Sequence, residues 1–374
     1  MRMLTLRLRS DRYLIPMELT SMGLLVTTAV LAVAALVATV WLWPRLSASK
    51  LQAVLGRVGV LAVCQVLTLA ALGLALNSYF AFYSSWGDLL GTDTATAPIT
   101  VAATGLQVLG SRAVPGGRIE QVIMPGASTR LSSEAYVFLP TAYLKHKTEH
   151  FPAIIALTGY PGDPRNLMTR MDLPGRMAKA IAAGQVKPTI LVMMRPSVVL
   201  PRDTECVDVP RGPQVQAYFA NDVKQDMIAH YRVAPDRDSW GILGGSTGGY
   251  CALKIVMSHP EQFSAAVSLS GYFKTIIDRT TGDLFHGDKS LEQRNDLMWR
   301  LANLPAPPVK VLVTSSKKGE SDYPATVRFL GAVRPPMQGS SLFLPSGGHN
   351  FNTWNRELPQ ALPWLAQQLV SPSV

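Results

Sequence analysis

Two long apolar runs open the chain, and a different pattern follows them. Met22 to Trp43 is almost uncharged and rich in Leu, Val and Ala, and Val58 to Trp86 repeats that pattern. Each run exceeds the ~20 apolar residues needed to cross a bilayer. Both are too long for a signal-peptide core, and a short basic loop separates them. The pattern predicts two transmembrane helices, about 22–43 and 58–84, in a membrane anchor covering residues 1–87. From Trp86 to about Ile99 the chain is polar and rich in Thr and Ala, which reads as a linker over 88–99.

Beyond it, over residues 100–374, short β-rich runs alternate with longer helical patterns. Strands are predicted at Arg118–Met124, Ala135–Leu139, Ala153–Thr158, Thr189–Met194, Trp240–Leu243, Ala265–Leu269, Val309–Thr314 and Ser341–Leu344. Several are unbroken apolar runs, as strands covered on both faces require. Helical patterns lie between them, at Val215–Tyr231 and Tyr323–Ala332 among others. The turn-rich Pro125-Gly126-Ala127-Ser128 joins the first two strands and suggests an antiparallel start. The expected fold class is α/β with a mainly parallel central sheet.

Charge changes this picture little. The net charge is +10, but residues 1–57 hold seven basic and two acidic groups, so half of the excess belongs to the anchor. The remainder has no Lys/Arg run interleaved with aromatic residues, and nucleic acid is not an expected partner. The expected partners are a lipid bilayer, through the N-terminal helices, and a substrate. Orientation is harder to read. Arg45, Lys50 and Arg57 lie between the spans, while Arg2, Arg7, Arg9 and Arg12 precede them, so the positive-inside rule pulls both ways. Initiation at Met17 would remove the arginine tail, and the extracytoplasmic side is preferred for the C-terminal domain. Of three cysteines, Cys64 lies inside the second span as a small packing residue. Cys206 and Cys251 could pair outside the cell, but sequence separation does not set their distance, and two separate thiols are favoured. No Cys/His cluster has metal-ligand spacing.

The chemistry concentrates at Gly244-Gly245-Ser246-Thr247-Gly248, after the apolar run Ser239–Leu243 and before a helical stretch. A strand, a tight turn and a helix are the context in which G-x-S-x-G carries a nucleophile. Glycines at both ends permit a turn that a Cβ would obstruct. A serine nucleophile needs a base, and the base needs a group that orients it. In chain order nucleophile, acid, histidine, three of the six histidines precede Ser246 and drop out. His259 sits near the end of the helix that follows Ser246, about 20 Å away at ~1.5 Å per residue. His286 lies in a polar insertion. His349 follows the last strand in a glycine-rich turn, where ligands bind in open α/β sheets, and is the expected base. The loop after the penultimate strand offers two acids, Glu320 and Asp322, which spacing does not separate. Glu320 is preferred, because Asp322 also suits an N-cap for the helix starting near Tyr323. For the oxyanion, Thr247 N–H should be one donor, and the loop Thr158–Gly162 should supply the other, with Tyr160 N–H preferred because Pro161 has none.

With Arg118-Ile119-Glu120, Tyr136–Pro140, Gly244–Gly249, Asn295-Asp296 and Gly348-His349-Asn350-Phe351-Asn352-Thr353-Trp354 in hand, residues 115–370 resemble the esterase D / antigen 85 group of α/β-hydrolases, particularly its membrane-anchored actinobacterial members. The resemblance implies an exported serine esterase or acyltransferase with no metal and no cofactor. It also implies a glutamate as the acid and Tyr160 rather than Gly159 as oxyanion donor. Two apparent spans in place of a cleaved signal peptide are a departure from antigen 85 proteins, and mycolate chemistry is not carried over.

Asp203-Thr204-Glu205-Cys206-Val207-Asp208 sets three carboxylates around a cysteine. It could rim the site or hold a cation, but a structural turn with solvated charges is the favoured reading. Phe351 and Trp354 are expected to pack the histidine loop. The function expected is a membrane-anchored enzyme that cleaves or transfers acyl groups through an acyl-Ser246 intermediate. A serine peptidase on the same fold and a non-catalytic envelope scaffold are the alternatives.

Overall fold

The computed structural model describes residues 21–46, 51–80 and 105–371, together with Leu19, Trp86 and Leu89. The chain divides into two units, Met1–Pro98 and Ile99–Val374. Apart from Leu89, the expected linker lies outside the described residues, as do the N-terminal arginines and Lys50.

In the first unit, helix α1 (Met22–Leu42) begins where Ser21 Oγ accepts the Leu24 N–H. A 3-10 turn, Trp43–Leu46, and helix α2 (Leu51–Phe80) follow, and the two helices pack along each other. Both are long and apolar enough to cross a membrane. Their large aliphatic side chains, including Val33, Val40 and Leu69, are exposed rather than turned into a protein core. Cys64 is buried, as expected of a small packing residue. Helix α2 starts seven residues before the expected Val58 and takes in Arg57, whose Nε donates to Leu46 O. Backbone hydrogen bonding continues through polar residues, so an apolar pattern underestimates helix length. The expected residues 81–84 lie outside the described ones.

The second unit is built on nine strands: β1 (Gln107–Val114), β2 (Gly117–Pro125), β3 (Ser132–Pro140), β4 (Ala153–Leu157), β5 (Ile190–Met194), β6 (Trp240–Gly245), β7 (Ala265–Leu269), β8 (Lys310–Ser316) and β9 (Gln338–Leu344). Their order across the sheet is β1-β2-β3-β5-β4-β6-β7-β8-β9. The β1–β2, β2–β3 and β3–β5 pairs are antiparallel, and every pair from β5 to β9 is parallel. All eight expected strands are present, with ends moved by up to three residues. β1 was not expected; it is an edge strand exposed along most of its length, with no apolar run to mark it.

Alternation along the parallel strands builds two cores. Ile155, Val192, Ile242 and Val311 face one side, covered by α4 (Val223–His230), α5 (Thr247–Ser258) and α6 (Tyr323–Ala332). Ile154, Leu191, Leu243 and Leu312 face the other, covered by α3 (Leu173–Ala182) and α7 (Phe351–Gln368). Both faces are therefore apolar, which is why these strands read as continuous hydrophobic runs. The sheet order reverses at β4, which lies between β5 and β6. Ligands collect at such a reversal, beyond the carboxyl ends of the strands. The loops after β4, β6, β8 and β9 all open on that side.

Candidate active site

β6 ends at Gly245, and Ser246 takes φ 55° and ψ −123° before α5 begins at Thr247. A side chain held there costs about 1–3 kcal/mol and persists only where its surroundings enforce it. Two glycines show the enforcement. A Cβ on Gly244 would meet Gly248 O at 2.1 Å, and a Cβ on Gly248 would meet Thr158 O at 2.3 Å. The helix therefore crowds against its own strand and against the end of β4, and the serine is turned out between them.

The loop after β4 lies beside that serine. A Cβ on Gly159 would stand 3.1 Å from Ser246 Cβ. The Gly162 N–H to Gly159 O bond closes the turn, and Thr158 Oγ1 donates to Gly162 O. Tyr160 follows Gly159, and its hydroxyl donates to Pro201 O at 2.6 Å. Thr247, at the first position of α5, has an N–H that no carbonyl of its own helix can reach. The backbones of Tyr160 and Thr247 thus both border Ser246.

His349 arrives from the far edge of the sheet. It precedes Asn350, whose side chain caps α7 by accepting the Thr353 N–H. Its Nε2 lies 2.8 Å from Ser246 Oγ. The Trp354 ring meets the imidazole edge-on with centroids 5.5 Å apart, and Trp354 Nε1 donates to Ser270 Oγ. Phe351 stacks edge-on against Trp354 in turn, so both aromatics pack the histidine loop. His259 is elsewhere, with Nε2 on the Gln216 amide.

The loop after β8 crosses the histidine loop at two glycines. Gly319 has φ +96°, a Cβ there would meet Gly347 O at 2.3 Å, and Gly347 N–H donates to Lys318 O. This crossing delivers Glu320. Its Oε2 accepts the Ser316 N–H at 2.6 Å and Ser315 Oγ at 3.3 Å, while Oε1 faces His349 Nδ1 at 3.8 Å. Asp322 takes the N-cap position of α6 without a side-chain cap bond and makes no ion pair with His349 among the described residues. Burial and then the Glu320 charge push it up to about 6. Desolvation holds the His349 imidazole below its ordinary value, partly offset by Glu320.

Two carboxyls outside the expected triad stand behind it, and the sequence marked only one of them, as part of the 203–208 turn. Glu357, fully buried on α7, accepts from Thr314 Oγ1 at 2.7 Å, and burial, reinforced by the Glu320 charge, raises it to about 8. Glu205 is the second, and it corrects the expectation of a solvated turn at 203–208: Asp203, Thr204 and Glu205 are all buried. Burial and then Asp203 raise Glu205 to about 8. The segment is inward-facing because it is tied to α5. Cys206 and Cys251 form a disulfide, against the expectation of two thiols, with Cα atoms 5.8 Å apart. Lys254 Nζ donates to Glu205 O at 2.7 Å, and the Tyr272 hydroxyl bridges Glu205 Oε1 and Thr247 Oγ1 at 2.7 and 3.1 Å. Thr247, Cys251 and Lys254 share one face of α5, since they are four and three residues apart. The carboxylates are already engaged: Asp203 by Ser197 Oγ and Glu205 N–H, and Asp208 by Ala217 N–H.

A family model named Esterase, described as "Putative esterase", matches residues 127–365. A Corynebacterium glutamicum protein described as uncharacterized is 23% identical over 351 residues, 88% of this chain and 82% of its own. Among solved structures, the S-formylglutathione hydrolase from Agrobacterium tumefaciens superposes with TM-score 0.59 at 13% identity, over 71% of this chain and 100% of its own. A ferulic acid esterase gives 0.57 at 18%, over 69% and 99%. A fluorophosphonate-binding serine hydrolase of Staphylococcus aureus gives 0.54 at 17%, over 67% and 98%. These likenesses bear on the fold, which is that of α/β-hydrolases.

Proposed function

This chain belongs to the Esterase family and is a hydrolase, and on that premise we propose that it acts on carboxylic esters through a covalent acyl intermediate on Ser246. The observation that carries the reading is the 2.8 Å approach of His349 Nε2 to an Ser246 Oγ held in a strained conformation at the strand ends. His349 takes the Ser246 proton as Oγ attacks the ester carbonyl, and returns it to the departing alkoxide. Glu320 fixes the imidazole tautomer and offsets its transient charge, and the N–H groups of Tyr160 and Thr247 receive the oxyanion. Water attacking the acyl-serine completes hydrolysis; an alcohol in its place completes acyl transfer, and the same residues serve both.

A fluorophosphonate probe tests the reading. It should label the folded wild type and leave Ser246→Ala unlabelled; folded wild type that resists the probe would end the proposal. Preference for para-nitroanilides over para-nitrophenyl esters would favour the peptidase alternative.

The same proposal includes a membrane anchor formed by α1 and α2, with the hydrolase unit on the extracytoplasmic side. The apolar exposure of both helices supports the anchor. The Cys206–Cys251 disulfide supports the side, because such bonds persist in oxidising compartments. Proteinase added to intact cells should degrade the hydrolase unit, and full protection until lysis would reverse the orientation.

A further inference from the structure

A shallow cavity of about 480 Å³, widely open to solvent, lies beside the loop that follows β4, lined by Tyr160, Pro201, Arg202 and the turn from Arg279 to Gly282. Its volume falls in the range of small-molecule sites. Tyr160 joins it to the reacting centre, since the preceding residue, Gly159, lies against Ser246. Its walls are fixed. The Tyr160 hydroxyl holds Pro201 O, Asp203 N–H donates to Thr280 O, and Arg202 donates to Thr281 O at 2.8 Å and to Asp283 O at 2.7 Å. Arg202 is thus a brace, with its guanidinium committed to backbone carbonyls.

Arg279 is different. It lines the same cavity, is exposed, and has no hydrogen bond or ion pair among the described residues. Neither neighbouring carboxylate pairs with it among the described residues: Asp278 Oδ1 accepts from Thr280 and Thr281 of its own turn, and Asp283 Oδ1 from the N–H groups of Phe285 and His286. An exposed guanidinium with no carboxylate paired to it suits a carboxylate or phosphate, which it can grip with two parallel N–H bonds.

We infer that the cavity beside Tyr160 is a substrate subsite in which Arg279 selects esters carrying an anionic group. The inference rests on the esterase reading of Ser246 and narrows it to a substrate class. The anion can sit on the acyl or on the alcohol side of the ester, and paired substrates separate the two.

The experiment compares kcat/KM for matched neutral and anionic esters in the wild type, Arg279→Ala and Arg279→Lys. Para-nitrophenyl butyrate against mono-para-nitrophenyl succinate probes the acyl side, and para-acetoxybenzamide against para-acetoxybenzoate probes the alcohol side. Arg279→Ala should lower kcat/KM for the anionic member of one pair about tenfold, the size of a charge-assisted hydrogen bond, and shift its neutral partner less than about twofold. Arg279→Lys should recover part of the loss, and added salt should erode the wild-type preference. Equal losses on neutral and anionic partners, or no loss on either anionic ester, would overturn the inference while leaving the esterase reading intact. A wild type inert on all four esters would overturn both. Because Arg279 is exposed, activity on the neutral esters reports that the variants are folded.

Discussion

Glu320 Oε1 stands 3.8 Å from His349 Nδ1, an ion-pair separation beyond hydrogen-bond range. That oxygen is buried and has no hydrogen-bond partner, while its twin is anchored on the Ser316 N–H. Protonation of the imidazole at Nε2 places a positive charge opposite it. Glu320→Gln should therefore lower kcat by about a thousandfold or more, by loss of tautomer control and charge compensation. Asp322→Asn should change kcat less than about threefold, because Asp322 makes no ion pair with His349 among the described residues. Steady-state kinetics on para-nitrophenyl butyrate check both, and the opposite ranking would transfer the acid role to Asp322.

The pH profile follows from the His349 environment. Desolvation depresses the imidazole pKa and Glu320 partly restores it. The neutral base is the active form, so activity persists as pH falls until it drops through a midpoint below the ordinary value of about 6.5. Removing Glu320 takes away the restoring charge. The residual activity of Glu320→Gln should thus fall off at a still lower pH. A midpoint above the ordinary value would contradict this account.

Glu357 ties stability to pH. Its carboxyl is raised to about 8 by burial, so the folded state holds a proton that the unfolded state releases at the usual 4.5. Stability from this group is full below the unfolded value and is lost as pH rises through the folded one. Glu357→Gln keeps the shape and removes the titration. Its melting temperature should exceed that of the wild type by roughly 2–4 °C at alkaline pH for each kcal/mol relieved, and the gap should close at acid pH. Thermal scans across the pH range decide it.

The Tyr272 hydroxyl joins Glu205 to Thr247, whose N–H is assigned to the oxyanion. Tyr272→Phe deletes that bridge and leaves the ring stacked on Tyr250. One lost hydrogen bond corresponds to a fall in kcat of about three- to tenfold, with KM little changed, if the hydroxyl positions the Thr247 peptide. A change confined to KM would separate it from the reacting centre.

The Cys206–Cys251 bond closes a loop of 45 residues. Replacing both cysteines with serine should cost about 2–5 kcal/mol of stability, measured by denaturant unfolding under non-reducing conditions. Wild type reduced in denaturant should match the double variant.

What could be read in advance was whatever the backbone demands in the form of residue type. Gly244 and Gly248 are required by carbonyls about 2 Å from where a Cβ would stand, so the serine turn was visible in five letters. The approach of His349 to Ser246 was visible from chain order. Glu320 and Asp322 stayed unresolved, because the crossing of Gly319 over Gly347 that separates them is a contact between loops 28 residues apart. Glu205 and Glu357 were invisible as buried groups, since a sequence displays a charge and not the dielectric around it. The disulfide was missed for a related reason: the distance between Cys206 and Cys251 is set by how α5 packs. β1 was missed because an exposed edge strand has no core to impose alternation.

The two partners of the reaction are held by unequal parts of the sheet. Ser246 leaves β6, which is flanked by β4 and β7, whereas His349 leaves β9, bonded to β8 alone and largely open to solvent. Amides at such a margin open before those at the centre. Warming should strip the base away while the nucleophile still keeps its shape, so catalysis would fail at temperatures where the fold as a whole survives. The working lifetime of this enzyme would then be set by the edge strand that carries its base and not by its core.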